Sequence, residues 1–193
     1  MKIIEFRYIT ILDKFDDTYP HWSRKYEYPT ILEYINNIQN NFKHPLIVHN
    51  TCWGFDVEHH QRFKNELETL LMPYNVTNSD VIHIGIPNSC VYDITKEPNV
   101  NFKESFDVVL NVSALEEIPG DHVSHFQNLY KQVRPNGYLI ITFDLPGFKL
   151  KDMEIFLGKE ISKQNFEQRI VGCGAPCIDG LNVGLLIVRK EDE

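Results

Sequence analysis

Residues 106–119 read FDVVLNVSALEEIP, and residues 121–143 read DHVSHFQNLYKQVRPNGYLIITF. Phe106 to Asn111 carries four apolar side chains in six positions, which suits a strand covered on both faces. Asp121 can cap a helix whose apolar positions are Val123, Phe126, Leu129, Tyr130 and Val133. Pro135-Asn136-Gly137 then closes the helix, Pro135 stopping it and Gly137 accepting a positive φ. Tyr138 to Phe143 is the next strand. Strand, helix and strand in this order predict parallel strands joined by a helical crossover.

The same alternation extends outward. Leu46 to His49 is a short apolar run and a predicted buried strand. A turn follows at Trp53-Gly54, and Asp56 can cap a helix carrying Val57, Phe63, Leu67, Leu70 and Leu71. Extended segments are predicted from Val76 to about Asp80 and from Cys90 to Ile94. Residues 1–43 read as a helical lead-in beginning Ile3, Ile4, Phe6, Tyr8. A helix start is expected either at a Thr30/Glu33 capping box or with Pro29 in the first turn. Beyond Phe143, Lys151 to Leu157 is a short helix, and Phe166 to Val171 with Leu181 to Val188 suit an antiparallel hairpin. The expected fold is α/β: a mostly parallel sheet with helices on both faces and a C-terminal antiparallel hairpin. Residues 1–43 would be a lead-in or lid, and 44–193 the main domain. Ligands of such sheets bind beyond the carboxyl ends of the strands, here the loops after His49, Asp80, Ile94, Asn111 and Phe143.

Composition narrows the partners. Of 193 residues, 42% are hydrophobic and 12% aromatic, which argues for a packed domain rather than disorder. The net charge of −8 opposes a phosphate backbone, so no nucleic acid is expected as the main partner. No apolar run approaches the roughly 20 residues of a membrane span, and the first residues lack the pattern of a signal peptide. Cys52, Cys90, Cys173 and Cys177 are too few and scattered for a disulfide scaffold and complete no zinc site, so a cytoplasmic protein with reduced thiols is expected.

The stretch 106–119, continued through LYKQVRPNGYLIIT at 129–142, resembles class I S-adenosylmethionine (SAM) methyltransferases. The family pattern is a strand FDxV, a loop ending in Leu-Glu-His, a helix, Lys-Pro-Gly-Gly and a strand. Here Glu117 replaces the His and Arg134-Pro135-Asn136-Gly137 replaces the Lys-Pro-Gly-Gly. The resemblance implies a Rossmann-like methyltransferase sheet with SAM as cofactor. The family also carries a Gly-rich loop after its first strand, where a bare backbone approaches SAM. Asn50-Thr51-Cys52-Trp53-Gly54-Phe55 has one glycine there, so either the loop takes another path or SAM binding is lost. Ile170-Val-Gly-Cys-Gly-Ala-Pro176 looks like the missing loop, but no helix follows it, and it reads as the hairpin turn.

By loop position, the resemblance implies cofactor contacts from Thr51, Trp53 and Gly54 in the first loop. It gives Asp80 to the ribose hydroxyls, Asp93 and Ile94 to the adenine, and Asn111 to the methionine part. Local readings compete: a turn or cap for Asp80, an Asx turn before Thr95 for Asp93, a core aromatic for Trp53. Arg24 could clamp the SAM carboxylate bidentately or pair with Glu27 or Asp17. Candidates on the acceptor side are His122, Asp144 and Glu117, with Glu116 and His125 beside them. His49 is expected to serve the core by hydrogen bonding. Two adjacent carboxylates, Glu116 and Glu117, are weak evidence for a hard cation, which wants six oxygens, so no metal is expected. The aromatic lead-in (Tyr19, Trp22, Tyr26, Tyr28) suits stacking on a sugar ring or flat metabolite. The compact chain resembles glycan-pathway methyltransferase domains that act beside glycosyltransferases. The expected activity is O-methylation of a sugar hydroxyl. The alternatives are a small-molecule O- or N-methyltransferase and a catalytically inactive methyltransferase-like binding module.

Overall fold

The computed structural model describes residues 1–9, 13–19, 23–52, 67, 70–82, 85, 87–145, 147–160 and 182–192. Its strands are β1 (Lys2–Tyr8), β2 (Ile47–Thr51), β3 (Asn75–Asp80), β4 (Ser89–Val91), β5 (Phe106–Val112), β6 (Val133–Leu145) and β7 (Asn182–Arg189). They form one sheet in the order β1-β7-β6-β5-β2-β3-β4. β2 to β6 pair in parallel, whereas β7 is antiparallel to both β6 and β1. Helices α1 (Arg24–Gln39), α2 (His122–Gln132) and α3 (Leu150–Leu157) cover the sheet.

The two-residue period of the strands divides the core. Val108, Leu110, Ile140, Leu185 and Ile187 pack with Tyr28, Ile31, Ile35 and Ile38 of α1. Val109, Leu139, Ile141, Phe143, Leu186 and Val188 pack with Phe126 and Leu129 of α2 and Met153 and Leu157 of α3. With both faces covered, β5 and β6 carry short apolar runs at their centres, Val108–Leu110 and Leu139–Ile141, which is why they are legible in the sequence. Asp121 caps α2 as expected, its Oδ1 accepting from the Val123 amide at 3.0 Å.

Three local expectations are corrected. Lys2–Tyr8 is a strand beside β7, not part of a helical lead-in, so residues at both ends of 1–39 belong to the sheet and its covering layer. α1 begins at Arg24 and carries Pro29 in its interior, not in its first turn. Proline has no N–H for the Lys25 carbonyl four residues back, and that carbonyl instead accepts from the Asp16 amide at 2.9 Å. The positive φ after α2 falls on Asn136 (64°), and Gly137 serves close packing: a Cβ there would stand 2.8 Å from the Asp107 carbonyl oxygen. Gly184 of β7 is fixed likewise, since an added Cβ would stand 2.3 Å from the Phe143 ring.

Of the expected helix over 56–71, Leu67, Leu70 and Leu71 are described; Leu67 and Leu71 are buried, and Leu70 partly buried, in the cluster that holds the α1 side chains. Phe166 to Val171, the first strand of the expected hairpin, and the Gly-rich turn at 170–176 lie outside the described residues.

Candidate functional site

The parallel strands bring the ends of β2, β3, β5 and β6 to one edge of the sheet. At the end of β2, the Thr51 hydroxyl donates to the Leu110 carbonyl at 2.7 Å and accepts from Asn111 Nδ2 at 3.1 Å. This locks β2 to β5. Asn111 is fully buried, and its Oδ1 has no hydrogen-bond partner among the described residues. The next residues along each strand end are strained. Cys52 has φ +56° and Ser113 φ +41°, in the left-handed region that costs an L side chain roughly 1–2 kcal/mol. Such strain concentrates at functional sites.

Cys52 is the centre of this cluster. Its thiol interacts with Thr51, Asn111, Asp80 and Asp93, and burial pushes it up to about 12, so it is a neutral thiol. Sequence reasoning weighed Cys52 only as a disulfide or zinc candidate; its signal was its place where the glycine pattern breaks. Asp80 ends β3, nearly buried, with Oδ1 accepting from the Val81 amide at 2.7 Å. Val81 and Ile82 beside it are exposed apolar residues. Asp93 forms the Asx turn, Oδ1 accepting from the Thr95 amide at 2.9 Å and the Thr95 hydroxyl at 2.7 Å; the hydroxyl bond is the main reason its carboxyl lies below the usual range. Ile94 is 2% exposed within the core, and its carbonyl accepts from Asn128 Nδ2 at 3.0 Å. The Ile94 side chain belongs to the core cluster beneath this edge. Trp53 and Gly54 lie outside the described residues.

A second cluster sits at the tip of β6. Asp144 and Glu116 are partly buried, and the Asp144 amide donates to Glu116 Oε1 at 2.9 Å. Glu116 Oε2 and Asp144 Oδ1 are buried without a hydrogen-bond partner among the described residues. Burial above all, with the Asp144 and Glu27 charges adding, raises Glu116 to about 7. Burial and the Glu27 charge, opposed by Arg24, raise Asp144 to about 6. Both are therefore poised to exchange a proton near neutrality. Glu117, the expected member, is exposed; on this tight turn Glu116 is the one that turns inward. Arg24 Nη1 donates to the Glu27 carboxylate, which is fully buried; this is the pairing the sequence offered beside a clamp on a cofactor carboxylate.

His122 caps the turn from inside. Its ring stacks on Phe148 at 5.4 Å, Nε2 lies 3.2 Å from the Ile118 carbonyl, and Nδ1 lies 3.2 Å from Asp152 Oδ2 at ion-pair distance without hydrogen-bond alignment. Both nitrogens thus face acceptors, and the imidazole joins α2 to α3. His125 is buried beside it, and burial, with His122 adding, holds it below the usual histidine value. Among the described residues, no group of three or more His, Cys, Asp or Glu converges as a metal site, and no helix is long and apolar enough to cross a membrane.

No protein-family model and no curated protein matches the chain. Solved structures do resemble it. The N-methyltransferase NodS from Bradyrhizobium japonicum WM9, in complex with S-adenosylhomocysteine (SAH), has a TM-score of 0.54 at 13% identity, over 91% of this chain and 90% of that one. The [4+2]-cyclase SpnF has a TM-score of 0.54 at 9% identity, over 100% of this chain and 88% of that one. The citrinin polyketide synthase CMeT domain has a TM-score of 0.50 at 14% identity over 77% of this chain, which spans only 47% of its length. The chain has the Rossmann-like methyltransferase fold.

Proposed function

We propose that this chain binds SAM along the carboxyl edge of β2, β3 and β5 and transfers its methyl group to a sugar hydroxyl, without a metal ion. One observation carries the reading. Two buried carboxyl oxygens without a partner among the described residues, Asp144 Oδ1 and Glu116 Oε2, belong to acids held in the proton-accepting range on the same edge as the Asp80–Cys52–Asn111 cluster. Asp80 would accept from the ribose hydroxyls, the Val81–Ile82 surface would flank the adenine, and Asn111 Oδ1 would accept from the methionine ammonium. In the reaction, the acceptor oxygen attacks the methyl carbon, the carbon–sulfur bond breaks toward sulfur, and SAH leaves as a neutral thioether. The hydroxyl proton passes to Asp144, with Glu116 beside it. Proximity and alignment would supply much of the rate. NodS is described with SAH bound, which supports the cofactor assignment. A glycan acceptor would place this step after a glycosyl transfer.

Cys52 favours a second reading, a methyltransferase-like module that does not catalyse. Its side chain, on a backbone with φ +56°, follows the first parallel strand, where the resembled family has a Gly-rich loop that lets SAM approach. Thermal unfolding with SAM or SAH separates the two. At ~100 times its dissociation constant either ligand should stabilise the chain by about 2.7 kcal/mol. No shift at millimolar ligand would decide for the second reading.

A further inference from the structure

We infer that Glu27, in the first turns of α1, is the positioning residue for the Asp144–Glu116 pair. The geometry comes from three elements. Glu27 is fully buried, and its Oε1 accepts from Ser113 Oγ at 2.5 Å and from Thr142 Oγ1 at 2.6 Å. Its Oε2 accepts from Arg24. The Ser113 amide in turn donates to the Thr142 carbonyl at 3.0 Å. One carboxylate from a helix thus closes the tips of β5 and β6. Thr142 lies two residues before Asp144, and Ser113 three before Glu116.

A mere pin would not need a charge. Burying a carboxylate is costly, and an amide could accept the same hydroxyls. Here burial pushes Glu27 upward, but Arg24 and the hydroxyls of Ser113, Thr142 and Ser23 outweigh it, so the group stays ionised. The fixed negative charge faces the pair. Around Asp144 stand Glu27 and Arg24 from α1 and Glu116 and Glu117 from the turn before α2. Among these, Glu27 is the charge that raises both members of the pair. The strained Ser113 backbone, φ +41°, is held by the same carboxylate. Glu27 therefore sets both the place of the strand tips and the proton affinity of the acids. Its service to a reaction rests on the methyl-transfer reading; its field does not.

The test is carboxyl titration by carbon-13 NMR of the free protein, with calorimetric SAH binding alongside. In Glu27→Gln, the Asp144 and Glu116 midpoints should fall by roughly one pH unit, because a like charge is gone and Arg24 is left unopposed. In Glu27→Asp, which keeps the charge, they should stay within about 0.3 unit of the wild-type values. Should Glu27→Gln not fold, Arg24→Gln reverses the sign for Asp144: above the midpoint of Glu27, followed in the same spectra, the uncompensated charge should raise the Asp144 midpoint. Midpoints that do not move in a folded variant overturn the inference and leave Glu27 a structural pin. Absence of SAH binding by the wild-type protein would instead overturn the methyl-transfer reading and leave the titration result standing.

Discussion

Two polar clusters lie inside this sheet, and they are completed to different degrees. Under β2, His49 is fully buried, its Nδ1 donating to Gln132 Oε1 at 2.6 Å and its Nε2 accepting from Ser79 Oγ at 2.7 Å. Gln132 Nε2 donates to the Tyr92 hydroxyl and to the Asn128 carbonyl, both at 3.2 Å. The His49 ring stacks on Phe106 at 4.7 Å. Every polar atom of that histidine and glutamine pair is used. At the edge, Asn111 Oδ1, Glu116 Oε2 and Asp144 Oδ1 are buried with no hydrogen-bond partner among the described residues. Unmet buried acceptors are destabilising, and a fold keeps them where a ligand is to complete them. The closed cluster reads as scaffold, the open one as site.

The sharpest way to break that contrast is Gln132→Leu. It takes the Gln132 partner from His49 Nδ1 and from the Tyr92 hydroxyl in the interior and should cost about 4 kcal/mol in denaturant unfolding, with SAH affinity of the folded fraction unchanged. A small loss would mean the interior cluster is not scaffold. Acid comes next. Burial holds His49 down to about 4 in the folded chain, below the ordinary 6.5. The unfolded chain therefore binds that proton first. The His49 contribution is complete above about pH 6.5 and is lost as pH falls toward 4, on the order of 3 kcal/mol in all. Unfolding free energies of the wild type and His49→Gln, measured from pH 7.5 to 4, should converge; parallel curves would refute the assignment. At the open cluster, Asp80→Ala should weaken SAH binding about tenfold by calorimetry with little change in stability; unchanged affinity removes Asp80 from the cofactor site. The smallest effect has the opposite sign. Asp144 and Glu116 are raised, so their ionisation costs stability at pH 7, a cost that fades as pH falls from about 7 and 6 toward the ordinary values of 4.5 and 3.8. Asp144→Asn should therefore stabilise the chain at neutral pH by about 1 kcal/mol or less, since solvent screens a half-open site. Loss of stability would show that Asp144 is already satisfied.

What could be read from residues alone follows the same division. β5, α2 and β6 were legible because an unbroken apolar run and the Asp121 cap are local signals. β1 was not: its side chains are partly exposed, its pattern is mixed, and its partner β7 lies at the other end of the sequence. The start of α1 was hidden because Pro29 reads as a boundary, whereas here the bond it cannot make is taken up by Asp16. At the site, Asp80, Asn111 and Asp144 were legible from strand ends. The choice between Glu116 and Glu117 was not, since adjacent residues on one tight turn differ only by which way the backbone faces them. Glu27 was visible only as a partner for Arg24; its hold on Ser113 and Thr142 spans 86 and 115 residues.

The pairing of β1 with β7 also dictates an order of events during synthesis. Lys2 meets Arg189 and Tyr8 meets Gly184, so β1 leaves the ribosome well before β7, the strand it pairs with. The parallel half, β2 to β6, is complete in sequence long before that. Closing so wide a loop is slow, and an unpaired edge invites association in the meantime. The helical layers and central strands are thus expected to assemble first, and the two outermost segments to zip together as the concluding step.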